Sequence, residues 1–124
     1  MAGKIVADTL EHSTAGSIAS NYVVEGSAKA WANFDGDAGT VAARNSLNVS
    51  GFTDNGTGDY TVSFTSSMSA ADYSASYCHD NRSSFISGAQ VDELAAGSFK
   101  ARAGINGSAV DADESCVSVL GDLA

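Results

Sequence analysis

Tyr60, Val62 and Phe64 alternate with Thr61, Ser63 and Thr65. A side chain that returns to the same face at every second position fits a β-strand and not a helix. The alternation recurs along the chain. Lys29 to Phe34 sets Ala30, Ala32 and Phe34 against Lys29, Trp31 and Asn33. Val41 to Val49 puts Val41, Ala43, Leu47 and Val49 inward, with Asn45 breaking the pattern, and Ala42, Arg44, Ser46 and Asn48 outward. Tyr73, Ala75 and Tyr77 alternate with Ser74, Ser76 and Cys78, and Phe99, Ala101, Ala103 and Ile105 with Lys100, Arg102 and Gly104. Val117 and Val119 alternate with Cys116, Ser118 and Leu120, a last strand expected to close the sheet. Short strands between turn-forming stretches predict an all-β fold, an antiparallel β-sandwich of jelly-roll-like form.

Composition agrees, because Leu, Lys and Glu, the builders of surface helices, are sparse and only 17% of residues are charged. Within Thr53 to Asp59, Asn55-Gly56 tolerates positive φ and predicts the reversal of a β-hairpin. Phe85, Ile86, Val91 and Leu94 fit neither period, so Arg82 to Gly97 reads as an irregular excursion with one short strand at most. Ala7 to Ser20 holds small polar residues around an isolated Leu10 and has too little apolar surface to pack alone. We therefore expect residues 1–25 to form a short extended anchor and oligomerisation segment that docks through Ile5, Val6 and Leu10, with the sandwich domain spanning 26–124. At 124 residues a single core is the natural size.

A formal charge of −9 repels phosphate backbones and anionic lipid, which argues against nucleic acid as a partner. No apolar run approaches the roughly 20 residues of a membrane span, and Asp8 interrupts the N-terminal apolar stretch, so neither membrane insertion nor a secretory signal is expected.

The runs Gly26-Ser27-Ala28-Lys29-Ala30-Trp31-Ala32-Asn33-Phe34-Asp35-Gly36 and Leu47 to Phe64, together with the closing Val117-Ser118-Val119-Leu120-Gly121-Asp122, carry a resemblance. The chain resembles the small β domains of bacteriophage tail fibres and related virion fibre proteins, of the type common among marine phages. The resemblance runs from about Lys4 to the end, with Arg82 to Gly97 matching least. It implies a structural or adhesive protein with no transferable catalytic set, assembled in the host cytoplasm as a homotrimer and carried on the virion. The partners it implies are other virion proteins of capsid or tail. With no shaft sequence ahead of the module, a head fibre, decoration protein or fibre-tip subunit is the expected role.

Candidate chemistry is thin. Cys78 and Cys116 stand on predicted strands, where one disulfide would staple the last strand to the middle of the sheet. Cytoplasmic assembly instead favours buried free thiols. A thiol nucleophile would need a base, and His79 points to the opposite face from Cys78. His12 and His79 lack the cysteine spacing of a zinc site. Asp35 and Asp37 flank Gly36 and are the first choice for calcium, but no acidic cluster completes a calcium-loop pattern, so no cofactor is expected. The acidic pairs lie in Gly, Ser and Thr loops that lack the burial a glycosidase acid needs, and no phosphate loop or nucleophile elbow occurs. The expectation is therefore no enzyme. For binding, Trp31 and Asn33 share a half-polar face that fits an intersubunit seam or a ligand platform, and Asp54, Asn55 and Asp59 sit at the hairpin end. The loops Asp35–Thr40, Asp54–Asp59 and Gly104–Glu114 are the candidates for gripping a host glycan.

Overall fold

The computed structural model of the protein describes residues 3–80 and 87–124. Eleven strands and one short helix follow in order: β1 (Thr9–His12), β2 (Gly16–Ala19), α1 (Ser20–Gly26), β3 (Ala28–Asp35), β4 (Ala42–Leu47), β5 (Val49–Gly56), β6 (Asp59–Phe64), β7 (Ser74–His79), β8 (Ser87–Ala95), β9 (Ser98–Ile105), β10 (Ser108–Ala109) and β11 (Ser115–Leu120). One sheet runs β4-β3-β11-β7. In the other, β9 pairs with β8 on one side and with β6 and β10 on the other, and β5 pairs with β6. Every pairing is antiparallel. The two layers form an all-β sandwich, as the alternation predicts.

The inward faces of β3, β6, β9 and β11 supply the core. Ala30, Ala32 and Phe34, then Tyr60, Val62 and Phe64, then Phe99, Ala101 and Ala103, then Val117 and Val119, are all buried. Phe34 packs on Phe52 with ring centroids 4.5 Å apart and meets Tyr60 edge-on at 5.5 Å; Phe64, Tyr73 and Phe99 make a second aromatic group. Each fully buried large apolar side chain contributes about 1.5–3 kcal/mol, and the alanines opposite let the layers approach the rings closely.

The structure corrects several readings. β11 does not close the sheet; it lies between β3 and β7. Leu47 points outward opposite Trp31, and Ser46 faces in opposite Ala32. The run Val41 to Val49 is two strands in different sheets, joined through Asn48 alone at φ 54°. Arg82 to Gly97 contains the whole of the nine-residue β8. There, an extra residue between Asp92 and Ala95, with Glu93 at φ 47°, brings both Val91 and Leu94 onto the core and hides the period. Phe85 and Ile86 lie outside the described residues. The hairpin is present, but it reverses at Thr57-Gly58, because Asn55-Gly56 still belongs to β5.

The N-terminal segment also differs from an extended arm. β1 and β2 pair as a hairpin that sets Leu10 opposite Ile18, and α1 follows directly. The His12 Nδ1 closes the tip by accepting the N–H of Ala15 at 3.1 Å. Lys29 ties the end of α1 down, donating to the carbonyls of Val24 and Ser27. No residue of α1 is buried.

Candidate functional site

The three loops singled out by sequence gather at one end of the sandwich, around a buried phenol. The Tyr60 hydroxyl lies 2.9 Å from Asp111 Oδ1 and 3.1 Å from the Gly36 carbonyl, so two acceptors share its proton. Asp111 Oδ1 also accepts the Gly58 N–H at 2.7 Å, and Gly36 N–H donates to the Ala112 carbonyl at 2.9 Å. Burial, reinforced by the Asp111 carboxylate, pushes the Tyr60 pKa well above its ordinary value, which keeps the phenol a donor. Gly58 is required at its place. It has φ +66°, and an added Cβ would sit 2.4 Å from the Ala103 carbonyl oxygen.

Arg44 braces the same end. It is the extra residue of a bulge, since Asn33 pairs with Asn45 and Phe34 with Ala43. Its side chain therefore swings out of the ladder to reach Asp35 Oδ2 at 3.0 Å, the Asp113 carbonyl at 2.7 Å and Asp113 Oδ1 at 2.5 Å. Asp35 Oδ1 accepts the Asp37 N–H at 3.1 Å. The first-choice calcium pair thus has both Asp35 oxygens engaged, and a cation there would displace Arg44. Among the described residues no three His, Cys, Asp or Glu side chains stand together as a ligand set.

On the outer face of the second sheet, the β5–β6 turn and the β9–β10 turn flank a groove of about 470 Å³. Its floor is backbone, because Gly88 and Gly104 face each other across β8 and β9. Its polar edge is a row in register, with Gln90 opposite Arg102 and Arg102 opposite Asp59. Arg102 joins Asp59 at 3.3 Å, Asp92 at 2.7 Å and Glu93 at 3.4 Å, and Lys100 adds a 2.9 Å bridge to Glu93. Asn55, the extra residue of a bulge in β5, donates to Asp59 Oδ1 at 3.1 Å and to Thr61 Oγ1 at 2.9 Å. Such convergent donors and acceptors can bind hydroxyl-rich or amide-bearing molecules. None of the lining residues is aromatic.

Asn55 and Asp59 are therefore brought together beside the groove. Asp54 is not part of it; the carboxylate accepts the Gly56 N–H at 2.9 Å and shapes its own strand end. Trp31 and Asn33 stand on the outer face of the other sheet. Trp31, half-buried, is opposite Leu47 on one side and Ser118 on the other, and Asn33 Nδ2 donates to Cys116 Sγ at 3.2 Å. The cysteines are free and paired in register on that same outer face, not buried in the sheet. His79 turns inward from the neighbouring position and packs against Tyr77 with ring centroids 5.7 Å apart and the rings tilted by 32°. Ile5 and Val6, expected as anchor residues, are 91% and 81% exposed, and Leu10 is exposed as well.

Sequence reasoning passed over Arg102 and Arg44, and reached Asp111 only as one acid of the Gly104–Glu114 loop. The one available signal was that Arg44 and Arg102 are two of only six basic residues among fifteen acidic ones, so each was bound to attract several carboxylates. The chain matches no family model, no curated protein sequence and no solved structure.

Proposed function

We propose that the protein is a bacteriophage virion structural protein, a non-enzymatic surface fibre or capsid decoration subunit. It attaches through its N-terminal segment and presents the sandwich outward. The observation that carries this reading is the line of uncovered apolar side chains at one end of the chain: Ile5, Val6, Leu10, Ile18, Tyr22 and Val24 are all exposed. The sandwich core is complete without them. Apolar surface of this kind fits burial on another protein, here a capsid or tail component. Trp31 and Leu47, with Leu120 further along the same face, offer a surface for self-association, and the likeness to fibre domains makes a homotrimer the proposed assembly. The net charge of −9 keeps the displayed face soluble.

Deletion of residues 2–21 tests the attachment. Loss of incorporation into particles with the sandwich still folded supports it, whereas unchanged incorporation would remove its basis. Locating the subunit in an image of the assembled particle distinguishes head from tail.

The groove favours a second reading, a fibre-tip module that recognises a host-surface saccharide through Asp59, Gln90, Arg102 and Asn106. A glycan array decides it. Specific binding that vanishes in Arg102→Ala and persists in Trp31→Ala assigns the groove to the ligand. Binding that vanishes only in Trp31→Ala moves the ligand to the opposite sheet.

A further inference from the structure

We propose that Cys78 and Cys116 are a redox-active dithiol that closes reversibly into a cross-strand disulfide by exchange with a low-molecular-weight disulfide. The two residues face each other directly on β7 and β11, as cross-strand partners in register. The register also fixes what kind of pair this is. Asp80 N–H donates to the Glu114 carbonyl at 2.9 Å, which makes Asp80 and Glu114 a hydrogen-bonded pair. Pairs alternate along an antiparallel ladder, so Cys78 and Cys116, two positions on, are of the same type.

In such a pair the Cα atoms are about 5.5 Å apart, inside the range that a disulfide spans. The Cβ atoms, however, sit near the wide end of about 4.5–5.5 Å, whereas a disulfide draws them to about 3.5–4.5 Å. Closing the bond pulls β7 against the ladder, and a bond formed under that tension is readily reduced. The site is reachable, since Cys78 is exposed on the outer strand of its sheet and Cys116 is half-buried beside it.

The two thiols are not equivalent. Asn33 Nδ2 donates to Cys116 Sγ at 3.2 Å and holds that sulfur in place on the face it shares with Cys78. Burial, together with the nearby Cys116, pushes the Cys78 thiol up. The exposed Cys78 thiolate attacks one sulfur of a small disulfide RSSR, forming a mixed disulfide and releasing RS⁻, which takes up the proton that Cys78 gave up. The Cys116 thiolate then attacks Cys78 Sγ and expels the second RS⁻, which is protonated in turn. In sum, two protein thiols and RSSR become one protein disulfide and two RSH; the protein loses two electrons and two protons to the small disulfide.

The test is a glutathione redox titration of the folded, full-length chain, read by intact mass and by thiol counting. The expected result is a species lighter by two hydrogens, formed within one chain, which reopens as reduced glutathione is raised. It should shift Tm by no more than about 5 °C, because the strain of the bond offsets most of the gain from closing a long loop. Cys116→Ser is expected to stop at a single glutathione adduct on Cys78, and Asn33→Ala to slow conversion of that adduct several-fold in the otherwise native chain. Stable glutathione adducts on the native chain, disulfides between chains, or thiols left unchanged in oxidised glutathione would each overturn the proposal.

Discussion

Tyr60 reaches out of the core to Asp111 across 2.9 Å, and the carboxylate it meets also holds the Gly58 N–H of the neighbouring turn. One carboxylate oxygen thus links the β5–β6 hairpin, the β9–β11 connection and, through the phenol, the Gly36 loop. Asp111→Ala leaves the Gly58 N–H without its partner and is expected to cost about 1–3 kcal/mol. Tyr60→Phe keeps the ring and should cost about 1 kcal/mol. Urea unfolding of the two variants and their double mutant gives the coupling. Strict additivity would mean that the two groups act separately.

The buried phenols give the fold an alkaline limit. Burial pushes Tyr77 up to about 12, against an ordinary value of 10.0, and Tyr60 and Tyr73 shift the same way. The folded state therefore holds these protons more tightly than the unfolded chain. Their contribution is complete below pH 10 and is lost as pH rises through the folded values. The urea midpoint is expected to stay flat from neutral pH to about 9 and then fall. Tyr77→Phe should flatten that fall, and an identical slope in the variant would contradict the assignment.

Gly58 and Gly107 separate strain from collision. Both have positive φ, +66° and +82°, but only at Gly58 does an added Cβ meet backbone, at 2.4 Å; at Gly107 there is open space. Gly107→Ala is expected to cost about 1–2 kcal/mol, the left-handed penalty alone. Gly58→Ala must also push β9 and the Val110 backbone away and should cost at least about 3 kcal/mol. Equal denaturation midpoints would show that the turn relaxes freely.

Asn48 makes the crossing between sheets at φ 54° and grips Ser66 from both sides, donating to its carbonyl at 3.0 Å and accepting its N–H at 2.7 Å. Asn48→Ala loses both bonds and adds left-handed strain, at a cost of about 2–3 kcal/mol. Asn48→Gly loses the bonds but not the conformation, and should be the milder change by about 1 kcal/mol. Thermal melts give the order directly; a glycine variant weaker than the alanine one would refute it.

Strand phase is legible in the sequence wherever the strand itself holds no extra residue, as in Tyr60 to Phe64 and Ala30 to Phe34. It is lost where an extra residue shifts the period, at Arg44 and beside Glu93. At Leu47 the phase of Val49 was carried back through Asn48, which belongs to neither strand. The candidate site was half legible for the same reason. Asn55 and Asp59 declare themselves as turn neighbours, but Arg102 comes beside Asp59 only through the pairing of β6 with β9. No local pattern encodes that register. The exposed side of Trp31 follows from alternation, while its partner Leu47 had been assigned to the interior.

The irregular strands also govern how copies of the molecule can meet. Of the four long outer strands of the sandwich, β4 carries the Arg44 bulge, β5 is interrupted at Ser50 and again at Asn55, and β8 is kinked beside Asp92 and Glu93. An incoming strand finds no straight row of free amides and carbonyls along any of these, and meets charge on all three. Only β7 runs without a break. Lateral growth by extension of the sandwich sheets, the route to amyloid, thereby has among these four strands one regular six-residue margin, the one that carries Cys78.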